Sequence, residues 1–129
     1  MALHYLKVSS MLKDILFNMA KNVEPIQSAR IVAGIHRKGR LLAVGFNQRK
    51  SHPLQAKWAS RPERIFLHAE VDAIRNYLYT STISSLESCS ILVVRVKLEH
   101  GRWVYGCAKP CSGCMRALDF YGLKNVEWT

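Results

Sequence analysis

The sequence predicts an α/β sandwich built on a mixed sheet, and three observations predict it. The 129 residues are 49% hydrophobic and 22% charged, a globular composition with enough chain to bury a core without disulfide staples. Apolar positions fall into helical spacing in some stretches and into strand-like runs in others. The resulting order is helix, two strands, helix, strand, helix, strand, which asks for an antiparallel hairpin followed by parallel crossovers. No repeat, low-complexity stretch or linker composition interrupts the chain, so residues 1–129 are expected to form a single domain.

Each element rests on local signals. Leu12, Ile15, Leu16 and Met19 follow the i, i+3, i+4, i+7 spacing of an amphipathic helix, with Ser9 or Ser10 placed to cap it and Pro25 beyond its end. Residues 30–35 and 41–46 predict two strands of a hairpin, turned at His36-Arg37-Lys38-Gly39-Arg40 around the glycine. Residues 47–67 are polar and basic and contain Pro53 and Pro62; a loop this long in a compact domain is functional or mobile. LHAEVDAI, residues 67–74, opens the second helix, with Val71, Ile74 and Leu78 as its inward stripe and His68 and Glu70 off that stripe in the first turn. A Ser- and Thr-rich stretch over residues 80–90 leads to ILVVRV, residues 91–96, an apolar run expected in the middle of a sheet. Residues 111–121 predict a third helix, because Cys111, Cys114, Met115 and Leu118 share a face and Gly122 is placed to stop it. NVEW, residues 125–128, predicts a last short strand.

Nineteen Lys and Arg against nine Asp and Glu give a formal charge of +10, which favours anionic partners, either nucleotides or nucleic acid. Arg49, Lys50, Lys57, Arg61 and Arg64 crowd the stretch before His68, opposed only by Glu63, and Arg37, Lys38 and Arg40 form a second basic knot. No apolar run approaches the roughly 20 residues of a membrane helix. Lys7, Lys13 and Asp14 break the N-terminal apolar positions, unlike a signal peptide. A cytoplasmic chain with no membrane partner and reduced thiols is therefore expected.

KPCSGC, residues 109–114, places two thiols at i and i+3, adjacent on the first turn of a helix. A lone C-x-x-C is compatible with redox, structural or incidental roles. At a helix N-terminus the dipole and free amides favour thiolate, the form that binds zinc. Cys111, Cys114 and His68 together make three ligands. Structural zinc sites close all four positions, whereas catalytic sites leave the fourth to water, and Glu70 beside such a water is then a general base. Cys107, four residues before Cys111, would abolish that open position as a fourth ligand and is expected to be buried or incidental. Cys89 is expected in the core and His52 in a solvated loop. Trp58, Phe66, Trp103 and Tyr105 flank the site in sequence; core packing is expected for each, with one a candidate to stack on a base.

H-A-E on one helix and P-C-x-x-C on the next resemble the zinc-dependent cytidine and deoxycytidylate deaminase superfamily, whose signature is H-x-E followed by P-C-x-x-C. The resemblance runs from GFN at the end of the hairpin, through HAEVDAI, to KPCSGCMRALDFYGLKNVEW. It implies the three-layer α/β/α sandwich of cytidine deaminase-like proteins. It also implies Zn2+ held by His68, Cys111 and Cys114, Glu70 as proton shuttle, and Asn47, Ala69 and Pro110 as substrate contacts. Hydrolytic deamination adds water at C4 of cytosine. Glu70 would take the water's proton and pass it to N3 and then to the departing amine. Two thiolates cancel the metal's formal charge and should acidify the water less than three imidazoles would, which gives a physical reason for a base at position 70.

Three function classes follow. The first is a deaminase of the free nucleotides dCMP or CMP, the second a cytosine or adenine deaminase acting on single-stranded DNA, RNA or tRNA, and the third a non-enzymatic basic zinc module. The third leaves the open site and Glu70 without purpose. The nucleotide is favoured over the polymer because one short domain offers little extended surface. The sequence stops at Thr129, without the further strand and helices that many relatives carry, so a neighbouring subunit is expected to supply the far wall of the pocket and a homo-oligomer is expected. The second zinc cluster of deoxycytidylate deaminases is also missing from the pattern.

Overall fold

The apolar run ILVVRV organises the molecule. The computed structural model describes residues 2–59 and 66–129, with side chains described from residue 10 onward. In it the run lies in strand β3, Ser90–Glu99, whose residues 91–94 and 96 are buried. On one edge β3 pairs antiparallel with β1, Arg30–Arg37, in a register from Arg30 opposite Val96 to His36 opposite Ser90. The outer strand β2, Arg40–Phe46, pairs antiparallel with β1. Two strands share the other edge of β3: β4, Arg102–Gly106, lies antiparallel to its second half and β5, Asn125–Trp128, parallel to its first half. The sheet is thus mixed and five-stranded.

Strand periodicity sorts the core into two layers. Ala33, Ile35, Ile91 and Val93 point to one face and pack with Ala73, Ile74 and Tyr77 of α3, Ala69–Leu78, and with Leu118 of α4, Ser112–Phe120. Val32, Leu92, Val94 and Val96 point to the other face, where Leu12, Leu16 and Ala20 of α1, Ala2–Ala20, cover them. This is the three-layer α/β/α sandwich.

The structure corrects four local expectations. Helix α1 starts at Ala2, so Ser9 and Ser10 lie inside it rather than at its cap. Its buried stripe is Leu12, Leu16 and Ala20, while Ile15 and Met19 are 47% and 40% exposed. The long basic segment contains a short helix, α2, Pro53–Trp58, capped by the His52 ring, which accepts from the Leu54 amide at 3.1 Å. Pro53 at the first helical position is the signal for it. Strand β4 was not expected: its hairpin turns at His100 and Gly101, both with positive φ, and of its five residues only Trp103, Val104 and Tyr105 are of strand-favouring types. The first hairpin turns at Lys38 and Gly39, again both at positive φ, the geometry that matches the strands' twist. Arg61, Pro62, Glu63 and Arg64 lie outside the described residues. Among those described, no helix is long and apolar enough to cross a membrane.

One close approach fixes the layer that carries α3 and α4. A Cβ at Gly45 would fall 2.7 Å from the Asp72 carbonyl carbon and nearer still to Ala73 N and Ala69 O, so α3 lies directly on β2. Polar ties hold it there: the Asp72 carboxylate accepts from the Phe46 amide at 3.1 Å and from Gln48 Nε2 at 2.9 Å, and Asn76 donates to Val44 O at 2.7 Å.

Candidate metal centre

Helices α3 and α4 present their N-terminal turns to a common point. His68 is the N-cap of α3 and Cys111 the N-cap of α4, with Cys114 one turn further on. His68 Nδ1 lies 3.2 Å from Cys114 Sγ and 3.6 Å from Cys111 Sγ, and the Cys114 amide donates to Cys111 Sγ at 3.5 Å. The three donor atoms all fall within 4.8 Å of one another. Tetrahedral zinc with ordinary Zn–S and Zn–N bonds needs N···S of about 3.6 Å and S···S of about 3.8 Å. The donor set fits zinc in chemistry and spacing. No fourth His, Cys, Asp or Glu among the described residues joins the group.

The thiols are electrostatically prepared. Donation from the Cys114 thiol and from His68 holds Cys111 down to about 3, while the same partnership and burial push Cys114 up. A bound cation would favour thiolate at both.

Glu70 is off the apolar stripe of α3 yet only 5% exposed, because the floor of a cleft closes over it. Burial raises its carboxyl above the ordinary range, opposed by its own backbone amide and by His68; it is also hydrogen-bonded to Cys114. A carboxyl raised in this way is suited to carry a proton in both directions near neutrality.

The surrounding shell is built from α2. Gln55, 1% exposed, accepts the His68 backbone N–H at 3.0 Å through its side-chain oxygen. The carbonyl of Trp58 accepts from Arg116 at 2.9 Å and lies so close to Gly113 that no Cβ fits between them. Helix α2 therefore touches both ligand-bearing helices.

The cleft measures about 550 Å³, within the range of roughly 300–1,000 Å³ usual for small-molecule sites. Of the residues singled out from the sequence, His68, Glu70, Cys111, Asn47 and Ala69 line it. Pro110 is buried and is not part of the lining, although its neighbours Lys109 and Cys111 are. Asn47 is 9% exposed, and its amide bridges the chain below it, accepting from Ile31 N at 2.9 Å and donating to Ala29 O at 3.0 Å. One amide proton and one oxygen lone pair remain for a ligand. Cys107 is exposed and lines the cleft outside the metal-donor group, and Cys89 is buried in the core. Of the four flanking aromatics only Phe66 borders the cleft. Trp58 packs on Phe120, Tyr105 on Phe17, and Trp103 under Arg30. Sequence reasoning passed over Arg95 and Lys109, which also line the cleft, and over Gln55 and Asp72. Arg95 sits inside the apolar run ILVVRV, and that lone charge was the available signal.

Residues 7–129 match the family described as the cytidine and deoxycytidylate deaminase zinc-binding region. No curated protein matches the chain. Among solved structures, dCMP deaminase of the cyanophage S-TIM5 in apo form is 18% identical, with 92% of this chain and 82% of that one covered at a TM-score of 0.57. The same enzyme in complex with dCMP and dUMP is 17% identical, with 95% and 80% covered at a TM-score of 0.61. At that identity the likeness speaks for the fold, whereas the family match covers nearly the whole chain and includes the His-Ala-Glu and Pro-Cys-x-x-Cys turns whose donors converge here. The chain belongs to the cytidine and deoxycytidylate deaminase zinc-binding family.

Proposed function

We propose that this protein is a hydrolytic deaminase of a free cytosine nucleotide, dCMP or CMP, releasing ammonia and the uracil nucleotide. The observation that carries this reading is the placement of buried Glu70 on the floor of a bounded cleft, against a three-donor metal cluster that no fourth described side chain closes. His68, Cys111 and Cys114 would hold the zinc. When bound, zinc supplies the Lewis acidity that ionises a water at neutral pH. Glu70 takes a proton from the attacking water and delivers it to N3 of the base, then passes the remaining proton of the hydroxyl added at C4 to the amine as the C4–N bond breaks, so a single raised carboxyl serves as base and acid. Ala69 and Asn47, which both line the cleft, contact the base and sugar, while Pro110, buried next to Cys111 and outside the lining, acts through the placement of that ligand rather than by touching substrate. The S-TIM5 enzyme has been solved with dCMP and dUMP, which supports a nucleotide of this kind. A second copy of the chain is proposed to close the open mouth, where Phe66 stands 45% exposed.

Ammonia release from cytidine, deoxycytidine, CMP, dCMP, dCTP, adenosine, single-stranded DNA and tRNA tests the reading. Turnover of dCMP or CMP well above the nucleosides and polymers is expected. An active oligonucleotide beside inert mononucleotides would overturn it, and light scattering of the purified protein reads the oligomeric state.

A further inference from the structure

Alternate residues of β3 point into the layer that carries the metal cluster. Ile91 and Val93 are buried there against α3 and α4, and the next position in the row is Arg95. At that point the layer opens into the cleft, and Arg95 lines it. The backbone is pinned: the Arg95 amide donates to Thr129 Oγ1 at 3.2 Å, and the same hydroxyl donates to Gly106 O at 2.9 Å. Gly106, the cross-strand partner, leaves room for the arginine stem, since a Cβ there would stand 3.1 Å from the Arg95 Cγ and Cδ. The guanidinium Nε is buried and has no hydrogen-bond partner among the described residues. Lys109, from the turn that leads into α4, lines the same cleft. Neither cation is in a salt bridge among the described residues.

Glu70 is the only carboxylate among the described residues of the lining, and the proposed reaction occupies it. The two thiolates are offset by the metal they hold. A neutral nucleoside would therefore leave the half-buried Arg95 guanidinium without a counter-charge, which is unfavourable, while the exposed Lys109 ammonium stays hydrated. A phosphate group, with oxygens matched to guanidinium N–H donors, supplies that counter-charge, and Lys109 adds a second cation at the same cleft.

We propose that Arg95 and Lys109 form an anion site that binds the single phosphate group of the nucleotide and makes this a nucleotide-specific rather than a nucleoside-specific cleft. The proposal rests on the free-nucleotide reading of the site and identifies the residues that enforce it.

Two measurements on the zinc-loaded protein test it. The first is kcat/KM for dCMP and for deoxycytidine in wild type, Arg95→Gln and Lys109→Gln, with zinc content measured for each. The second is the calorimetric affinity for dUMP and for deoxyuridine, which needs no turnover. Each variant is expected to lower the phosphorylated-to-unphosphorylated ratio roughly 10- to 100-fold in both measurements, the loss expected for a hydrogen-bonded charge, at unchanged zinc content. A fall of equal factor for both members of a pair, or no fall, would overturn the proposal, because packing at β3 or the Cys111 turn would move both alike. Wild type that binds dUMP no better than deoxyuridine also overturns it. Wild type that binds dUMP preferentially yet releases no ammonia from dCMP would sink the functional reading and leave the anion site standing. Tighter binding of a single-stranded oligonucleotide, with affinity falling steeply in salt, would replace the single phosphate with a polymer backbone.

Discussion

Replacing Gly45 by alanine is a sharp test of how the site is positioned. The new methyl would stand 2.7 Å from the Asp72 carbonyl carbon, with Ala73 N and Ala69 O nearer still. All three are backbone atoms of α3, so no rotamer change can relieve the contact. Restoring ordinary carbon contacts of roughly 3.5 Å requires the helix to move on the order of 1 Å away from β2. Overpacking of this kind costs about 1–3 kcal/mol, and a backbone obstacle belongs at the upper end. Reduced freedom of the unfolded chain would return about 0.4–1 kcal/mol, so a net loss of about 2 kcal/mol is expected. The displaced turn carries His68 and Glu70, and a misplacement near 1 Å costs on the order of 100-fold in rate. Urea unfolding and kcat/KM measure these two effects, with zinc content determined alongside. The matched control is Gly106→Ala, whose methyl meets only the flexible Arg95 side chain at 3.1 Å, so its stability should change less. A Gly45→Ala protein with wild-type stability and rate would show that α3 is not seated on β2 as described.

Three further outcomes are expected. Glu70→Gln should retain zinc and fold while turnover drops roughly 10²- to 10⁴-fold, the usual worth of a general acid-base group; near wild-type turnover would remove Glu70 from the proton path. Chelation of zinc, or Cys111→Ser, should lower the melting temperature and abolish activity, and restored zinc should recover both in the chelated wild type, read by calorimetry and elemental analysis. His36 is 8% exposed, neither ring nitrogen has a hydrogen-bond partner among the described residues, and burial lowers its pKa below 6.5, with Glu127 opposing. Because the unfolded chain takes up that proton first, its stabilising share is complete above pH 6.5 and is lost as pH falls through that value towards the folded pKa; stability against pH for wild type and His36→Phe checks this, since the variant should lack that component.

The donors of the metal centre were legible because their spacing is local. One turn of α4 sets Cys111 beside Cys114, and an N-cap residue opposite needs only the two helices to converge. The sheet order was legible where apolar runs were long, as in ILVVRV, and not where a strand held three strand-like residues, as at Trp103 to Tyr105. Glu70 illustrates the limit: periodicity puts it off the buried face of α3, yet the neighbouring α4 and the cleft wall bury it, a fact of tertiary packing that no helical wheel contains. Arg95 and Lys109 lie 14 residues apart and line one cleft after β4 folds the chain back between them. The role of Gln55 was hidden for another reason. It sits in a segment whose polar composition predicts a loop, and its partner is a backbone amide, which leaves no side-chain pattern to find.

Helix α2 gives the metal site a property that short zinc modules lack. Gln55 grips the histidine end of α3, and the Trp58 carbonyl grips the first turn of α4 through Gly113 and Arg116. The two halves of the donor set are thus braced by a third piece of chain that coordinates nothing. Small zinc modules must organise their ligands at the moment the ion arrives, so their affinity is diminished by the entropy of folding. Here part of that ordering comes from ordinary hydrogen bonds that involve no metal donor atom, so less of the ion's binding energy is expected to be spent on arranging its ligands, and its capture is expected to resemble ligand binding more than folding.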